Sequence, residues 1–158
     1  MAVVMFYHIT RSSLEQTAAN LLTRALGAGW PVMLRGTEAE KLDQLDQALW
    51  LGPEDGFLPH GREGGPHDAL QPILLGTGPI ANQARALMMI DGATFTPQEA
   101  ASLERVWVLF DGLDEAAVAK ARTQWKAATA AGLSAQYWSE EDGSWAKKAE
   151  ATPPAAKA

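Results

Sequence analysis

Apolar residues along the chain follow two patterns, which are short continuous runs and longer stretches with recurrence every three or four positions. The short runs predict buried strands, because β-branched, aromatic and long aliphatic side chains fill them. They lie at residues 3–9, 31–34, 71–75, 86–91, 105–110 and 134–138. The periodic stretches predict helices at residues 13–27, 38–51, 96–103 and 114–131. Alternation of the two favours a single α/β domain with a mostly parallel or mixed sheet and helices on both faces.

Residues that begin and end helices support these bounds. Ser13 precedes the first periodic stretch and Thr96 precedes the third, which starts with Pro97. Asp114 stands before the last stretch, and Gly132 follows it. We therefore expect the last helix to be the longest, running from a capping aspartate to a terminating glycine.

Two segments carry no regular pattern. Residues 52–72 contain four prolines and several glycines, which predicts a long irregular loop. From Glu140 onward the chain becomes polar and ends in a Pro-Pro segment. We expect an α/β domain over residues 1–140 and a polar, frayed C-terminal tail over residues 141–158.

Composition narrows the classes of function. The chain has 158 residues, no cysteine and a formal net charge of −6. Without an apolar run of about 20 residues, no membrane association is expected, and the absence of cysteine favours the cytoplasm. Binding to nucleic acid depends on many Lys and Arg contacts to phosphate. We therefore expect any contact with nucleic acid to be mainly indirect, through a protein partner.

The chain carries only weak signals for a phosphate-binding loop. In mononucleotide-binding folds a glycine-rich turn follows the first strand, but here that turn contains no glycine at residues 10–13. The sequence Gly76-Thr77-Gly78 follows a predicted strand, and a lone pattern of this kind favours a tight turn. We expect a mononucleotide-binding-like fold without a phosphate loop and without a cofactor.

Candidate catalytic and metal-binding residues are also sparse. His60 and His67 share the irregular loop, but the spacing of the nearby acids does not make a ligand set, so no metal is expected. His8 ends a buried strand and is predicted to be structural. Asp111 and Asp114 flank a turn at the carboxyl end of a strand, where ligands bind in open sheets. We favour a turn and a helix cap there, so catalytic residues are not expected.

The last predicted helix carries the most suggestive surface. Five residues at helical spacing share one face, namely Val118, Arg122, Trp125, Lys126 and Thr129. The face that packs on the sheet is predicted to comprise Ala116, Ala117, Ala121, Gln124 and Ala128.

Two interpretations of this surface are open from the residues alone. In the first, Trp125 covers the edge of the core, and Arg122 and Lys126 are solvated charges. In the second, the two cations and the tryptophan receive a peptide with an acidic run and an apolar end.

Two segments resemble the chi subunit family of bacterial DNA polymerase III. Residues 45–61, LDQALWLGPEDGFLPHG, are similar to a family segment of the type LDEALW…P…FVPH. The family's basic residue, aromatic-Lys pair and Ala-Gly are matched by Arg122, Trp125-Lys126 and residues 131–132. The resemblance covers about residues 3–132 at low identity.

The resemblance implies a non-catalytic adaptor in DNA replication. Its members bind the acidic C-terminal tail of single-stranded DNA-binding protein, which ends in aspartates, an apolar residue, proline and phenylalanine. The resemblance implies that Arg122 and Lys126 hold the carboxylates of the tail. It also implies that the pocket for the terminal side chains is lined or bordered by Trp125, Phe57 and Trp50. Val118 stands where relatives have a lysine. A psi subunit or a helicase is a further expected partner.

Two other classes of function remain as alternatives. One is a small nucleotide- or phosphate-binding α/β enzyme with its site at the strand ends. The absence of a glycine-rich loop after the first strand disfavours this alternative. The other is a protein that binds nucleic acid directly, which the net charge of −6 disfavours.

Overall fold

The structure, a computed structural model, describes residues 2–51 and 58–152, which fold as one sheet with helices on both faces. The predicted α/β class is confirmed, and each of the predicted strands and helices is present. In chain order the elements are β1 (Val3–Ile9), α1 (Leu14–Gly27), β2 (Val32–Arg35), α2 (Ala39–Trp50), β3 (Gly61–Arg62), β4 (Ile73–Gly76), β5 (Ala86–Met89), α3 (Pro97–Ala101), β6 (Arg105–Asp111), α4 (Glu115–Ala130), β7 (Ser134–Ser139) and β8 (Ala146–Ala151).

The eight strands of the described residues lie in the order β3-β4-β2-β5-β6-β1-β7-β8. Neighbouring strands are parallel except for the pair β7 and β8, which is antiparallel. β1 lies between β6 and β7, with Val4 opposite both Val106 and Ala135. Because both faces of a parallel sheet are covered, β1 is apolar on both sides, and Val4 and Phe6 are fully buried.

Two hydrophobic clusters separate the two faces of the sheet. On the first face, α1 and α2 bury residues such as Leu22 and Leu45 against the sheet. On the second face, α3 and α4 pack on the alternate strand positions, including Phe6 and Val108. The two helix pairs therefore lie on opposite sides of the sheet. Only candidate residues on the same side can contact one another.

The chain changes faces at the neighbouring strands β1 and β6. It leaves β1 for α1 on the first face and leaves β6 for α4 on the second face. In open α/β sheets, such a switch point opens a crevice at the carboxyl ends of the strands. Here that crevice has a volume of about 620 Å³.

The C-terminal segment differs from the expectation of a frayed tail over residues 141–158. Residues 146–151 form β8, which pairs with β7, and Trp145 packs edge-on against Tyr7 at 5.2 Å. The sequence Ala-Lys-Lys-Ala-Glu-Ala has weak intrinsic preference for a strand, so the free edge of β7 supplies the reason for it. Residues 153–158 lie outside the described part of the chain.

The predicted loop over 52–72 contains short ordered pieces. β3 pairs with β4, and residues Asp68–Leu70 form a single 3-10 turn. Residues 52–57 lie outside the described ranges. Among the described helices, none combines the length and the hydropathy required to cross a bilayer.

Candidate protein-interaction surface on helix α4

Helix α4 is fixed on the second face by its cap and by two small residues. The carboxylate of Asp114 accepts the backbone N–H groups of Ala116 and Ala117, which confirms the predicted cap. Ala121 and Ala128 are each 2 % exposed and let the helix lie close to the sheet. The prediction for Ala116 is wrong, because this residue is exposed, while Ala117, the next residue of the same turn, packs on the second-face cluster.

Trp125 packs at the edge of the second face and is half-buried. Its ring lies 5.5 Å from that of Phe6 and 6.2 Å from that of Tyr137. Val118, two turns earlier on the same side of α4, is half-buried against the same cluster. Trp125 therefore covers the core edge, as the first interpretation expects, and still presents part of its surface to solvent.

The basic side chains of α4 are available for a partner. Within the described residues, four Lys and Arg side chains make no hydrogen bond or ion pair. They are Arg24 on α1 and Lys120, Arg122 and Lys126 on α4. In a chain of net charge −6, this concentration of unpaired cations makes α4 locally basic.

Tyr137 on β7 is a neighbour of this surface that the sequence analysis did not single out. Its hydroxyl lies 2.6 Å from Nδ1 of His8, and the His8 ring packs against Phe110. Burial raises the pKa of the Tyr137 phenol, and the nearby charge of Arg122 opposes that rise.

The structure does not bring Trp50 to the α4 surface. Trp50 ends α2 on the first face, is 51 % exposed, and stacks on His60 with ring centroids 4.2 Å apart. Because the sheet separates α2 from α4, Trp50 and Trp125 cannot line one pocket. Phe57, the other predicted pocket residue, lies outside the described residues.

The first turn after β1 carries a cluster of backbone donors that are already occupied. The N–H groups of Thr10, Arg11 and Ser12 all donate to one carboxylate oxygen of Glu140, at 3.1, 3.1 and 2.9 Å. The Ser12 hydroxyl donates to the other oxygen at 2.7 Å. In mononucleotide-binding folds the corresponding turn holds a phosphate. Here a buried side-chain carboxylate fills that position.

The turn Gly76-Thr77-Gly78 is occupied in the same way. The Glu63 carboxylate accepts the N–H of Thr77 at 2.8 Å and that of Gly78 at 3.4 Å. Both turns considered for phosphate binding are thus bonded to carboxylates of the chain itself. A phosphate would have to displace a bound carboxylate at either place, which argues against the nucleotide-enzyme alternative.

The crevice at the strand ends carries an excess of negative charge. Four carboxylates line it, against the two ammonium groups of Lys41 and Lys120, and Lys41 is paired with Asp91 at 3.3 Å. The carboxylates belong to Glu38, Asp91, Asp111 and Asp114. This charge balance is unfavourable for a phosphorylated ligand.

His60 has structural surroundings, whereas His67 is exposed. His60 is buried, and its two ring nitrogens face the backbone oxygens of Leu58 and Asp46. This agrees with a residue that stabilises the turn and not with a solvated one. Nowhere in residues 2–51 and 58–152 do three or more His, Cys, Asp or Glu side chains form a group that could hold a metal ion.

Comparison with known proteins identifies a family to which the chain is similar. The family model described as "DNA polymerase III chi subunit, HolC" matches residues 1–136, which include β1 to β6, α4 and the start of β7. No curated protein matches the chain. The match leaves out Tyr137, Glu140 and β8. Because it covers most of the chain, and the fold agrees with that expected from the resemblance, the chain belongs to the DNA polymerase III chi subunit family.

Proposed function

We propose that this chi-family protein is an adaptor that captures the acidic C-terminal tail of single-stranded DNA-binding protein on α4. Arg122 and Lys126 pair with carboxylates of the tail, and the exposed part of Trp125 contacts its apolar end. A guanidinium can bind a carboxylate through two parallel hydrogen bonds, which gives Arg122 the more directional role. The protein contributes binding and no chemistry of its own.

The unpaired cations on α4 are the main support for this proposal. An exposed cation beside a carboxylate of the same chain would have to exchange one partner for another when a peptide arrives. Arg122 and Lys126 have no such partner among the described residues, so an acidic peptide gains the whole interaction. Trp125 between them is held by Phe6 and Tyr137, and therefore loses little side-chain freedom on binding.

Titration with a synthetic peptide tests this proposal. The peptide carries the last residues of single-stranded DNA-binding protein, and binding is measured by calorimetry. We expect Arg122→Ala to weaken binding by about 1–3 kcal/mol, the usual loss for a charged hydrogen bond or an interface anchor. Trp125→Ala should give a similar loss, with folding checked by thermal unfolding because the ring also packs on Phe6.

Arg24→Ala is the matched control, because Arg24 is another cation without a partner in the described residues but lies on α1. It should leave the affinity unchanged. Equal affinity of a folded Arg122→Ala variant and the parent protein would exclude α4 as the site.

Other partners stay as predictions. A psi subunit or a helicase is expected from the family resemblance, and direct contact with nucleic acid is expected to be secondary. Trp50 and Leu51, at the end of α2, form an exposed apolar pair on the first face, 51 % and 85 % exposed. Because this pair lies on the first face, any partner that it contacts binds at a site separate from the α4 surface.

A further inference from the structure

We infer that the tail site extends from α4 across the neighbouring hairpin, and that the apolar C-terminal side chain of the peptide packs on Val118, Trp125 and Tyr137 beside Ala149 of β8. This inference rests on the proposed function and assigns a second wall to the same site. The hairpin wall consists of Tyr137 and Ala149, both beyond the residues that the family model matches.

The apolar part of this site is formed by three half-buried side chains from two elements. Val118 and Trp125 lie two turns apart on one side of α4 and pack on the same cluster, and Tyr137 stands on β7 with its ring 6.2 Å from that of Trp125. The two rings meet at 73°, close to the edge-to-face arrangement that aromatic pairs favour. Held in this way, they offer a preformed apolar surface.

The pairing of β7 and β8 leaves the outer side of this surface open. Tyr137 is directly opposite Ala149, so the two residues lie on the same face of the sheet. Ala149 is exposed, which means that no described element covers this position of β8. A methyl group beside the Tyr137 ring leaves room for one apolar side chain of a partner.

The charges around the apolar surface define which peptide fits. Arg122 lies close enough to the Tyr137 phenol to affect its pKa, and Lys126 follows one turn later on α4. Neither cation is paired within the described residues. An apolar residue at a C-terminus brings its own carboxylate, so the surface fits a peptide with an apolar last residue after an acidic run.

Substitution of Ala149 tests the hairpin wall without changing α4. Ala149→Glu places a longer, negatively charged side chain beside Tyr137, and we expect it to weaken binding of the tail peptide about tenfold. Ala39→Glu makes the same change at an exposed position on α2, across the sheet, and should not change the affinity. For a peptide lacking its terminal phenylalanine, Ala149→Glu should cause a smaller loss, because the contact it blocks is already missing.

Two substitutions of Tyr137 provide an independent test. Tyr137→Phe keeps the ring and removes the hydroxyl that bonds His8, so binding should be retained. Tyr137→Ala removes the ring and should weaken binding of the intact peptide about tenfold, with folding verified by thermal unfolding.

The outcomes separate the two proposals. If Arg122→Ala weakens binding but Ala149→Glu and Tyr137→Ala do not, the hairpin wall is wrong and α4 alone is the site. If the parent protein does not bind the peptide, both the proposed function and this inference are overturned.

Discussion

The His8 ring packs closely on the backbone of Gly112. The His8 ring lies between Phe110 and Tyr137, and its Nε2 is 3.2 Å from the backbone oxygen of Gly112. A Cβ at Gly112 would overlap the His8 ring and come within 2.9 Å of a methyl carbon of Thr10. Glycine at this position is therefore needed for space rather than for backbone conformation.

Gly112→Ala should destabilise the protein by about 1–3 kcal/mol, the usual cost of forcing extra atoms into a packed site. Urea unfolding followed by tryptophan fluorescence measures the free energy of unfolding. Gly27→Ala at the end of α1 is the control, since no atom lies within 4 Å of the added Cβ. Its stability should be unchanged or slightly higher, because alanine favours the helix. Equal stabilities of both variants would contradict this account of His8 packing.

Single residues show where prediction from sequence succeeds and where it fails. Asp114 was predictable as a cap because the signal is local and its partners are two and three residues away. Glu140 binds Ser12, 128 positions away in sequence, and Tyr137 meets His8 across 129 positions. No periodicity links residues at such separations, so only the fold reveals these contacts.

At the scale of elements, Glu140 ties the end of β7 to the turn between β1 and α1. Burial raises the pKa of its carboxyl, but the hydrogen bonds from the Ser12 hydroxyl and the backbone of residues 10–12 outweigh this and hold the pKa below its ordinary value of 4.5. A carboxyl whose pKa is depressed in the folded state stabilises the fold at pH values above its ordinary pKa. That contribution is lost as the pH falls below 4.5 through the pKa of the folded state.

We therefore expect the free energy of unfolding to decrease on acidification below about pH 5, with part of the decrease due to Glu140. Glu140→Gln should lose about 1.5–3 kcal/mol at neutral pH, since charged hydrogen bonds are replaced by neutral ones. It should also show a shallower decrease toward low pH. Denaturant unfolding at a series of pH values measures both effects.

Glu15→Gln serves as the control, because Glu15 lies in the first turn of α1 and is exposed. Its pH profile should follow that of the parent protein. A Glu140→Gln profile parallel to the parent would show that this carboxylate does not couple the two elements.

The strands and helices also differ in how well the sequence predicts them. β6 and α4 have strong internal patterns, and their predicted bounds are close to those observed. All six residues of β8 are small or charged and most of them are exposed, so its sequence resembles that of a polar tail. Its existence depends on the hydrogen-bonding edge of β7, which belongs to another segment.

For the whole molecule, the contrast between a net charge of −6 and a basic α4 sets how it meets charged partners. The overall charge repels bare nucleic acid, while the local cations attract an acidic peptide. Added salt screens exposed charges, with a Debye length of about 10 Å at 0.1 M and about 3 Å at 1 M.

Affinity for the tail peptide should therefore fall several-fold as salt is raised from about 0.05 to about 0.5 M. The Arg122→Ala variant should show a weaker dependence because it has lost one of the interacting charges. Calorimetric titrations at a series of salt concentrations measure the salt dependence of the affinity for the parent protein and for the variant. A salt-independent affinity would indicate that apolar contacts, and not the cations, dominate binding.

The central place of β1 sets the order in which the molecule can fold. Val3 pairs with Arg105 and with Ser134, so β1 finds its neighbours only after the chain has been made as far as β6 and β7. At about 5–20 residues per second, β1 waits roughly 5–20 s for β6 to be made. During that time an apolar strand with Phe6 at its centre has no native partner. β1 therefore enters the sheet only after β7 has been made, when β6 and β7 pair with it on either side through contacts of high sequence separation.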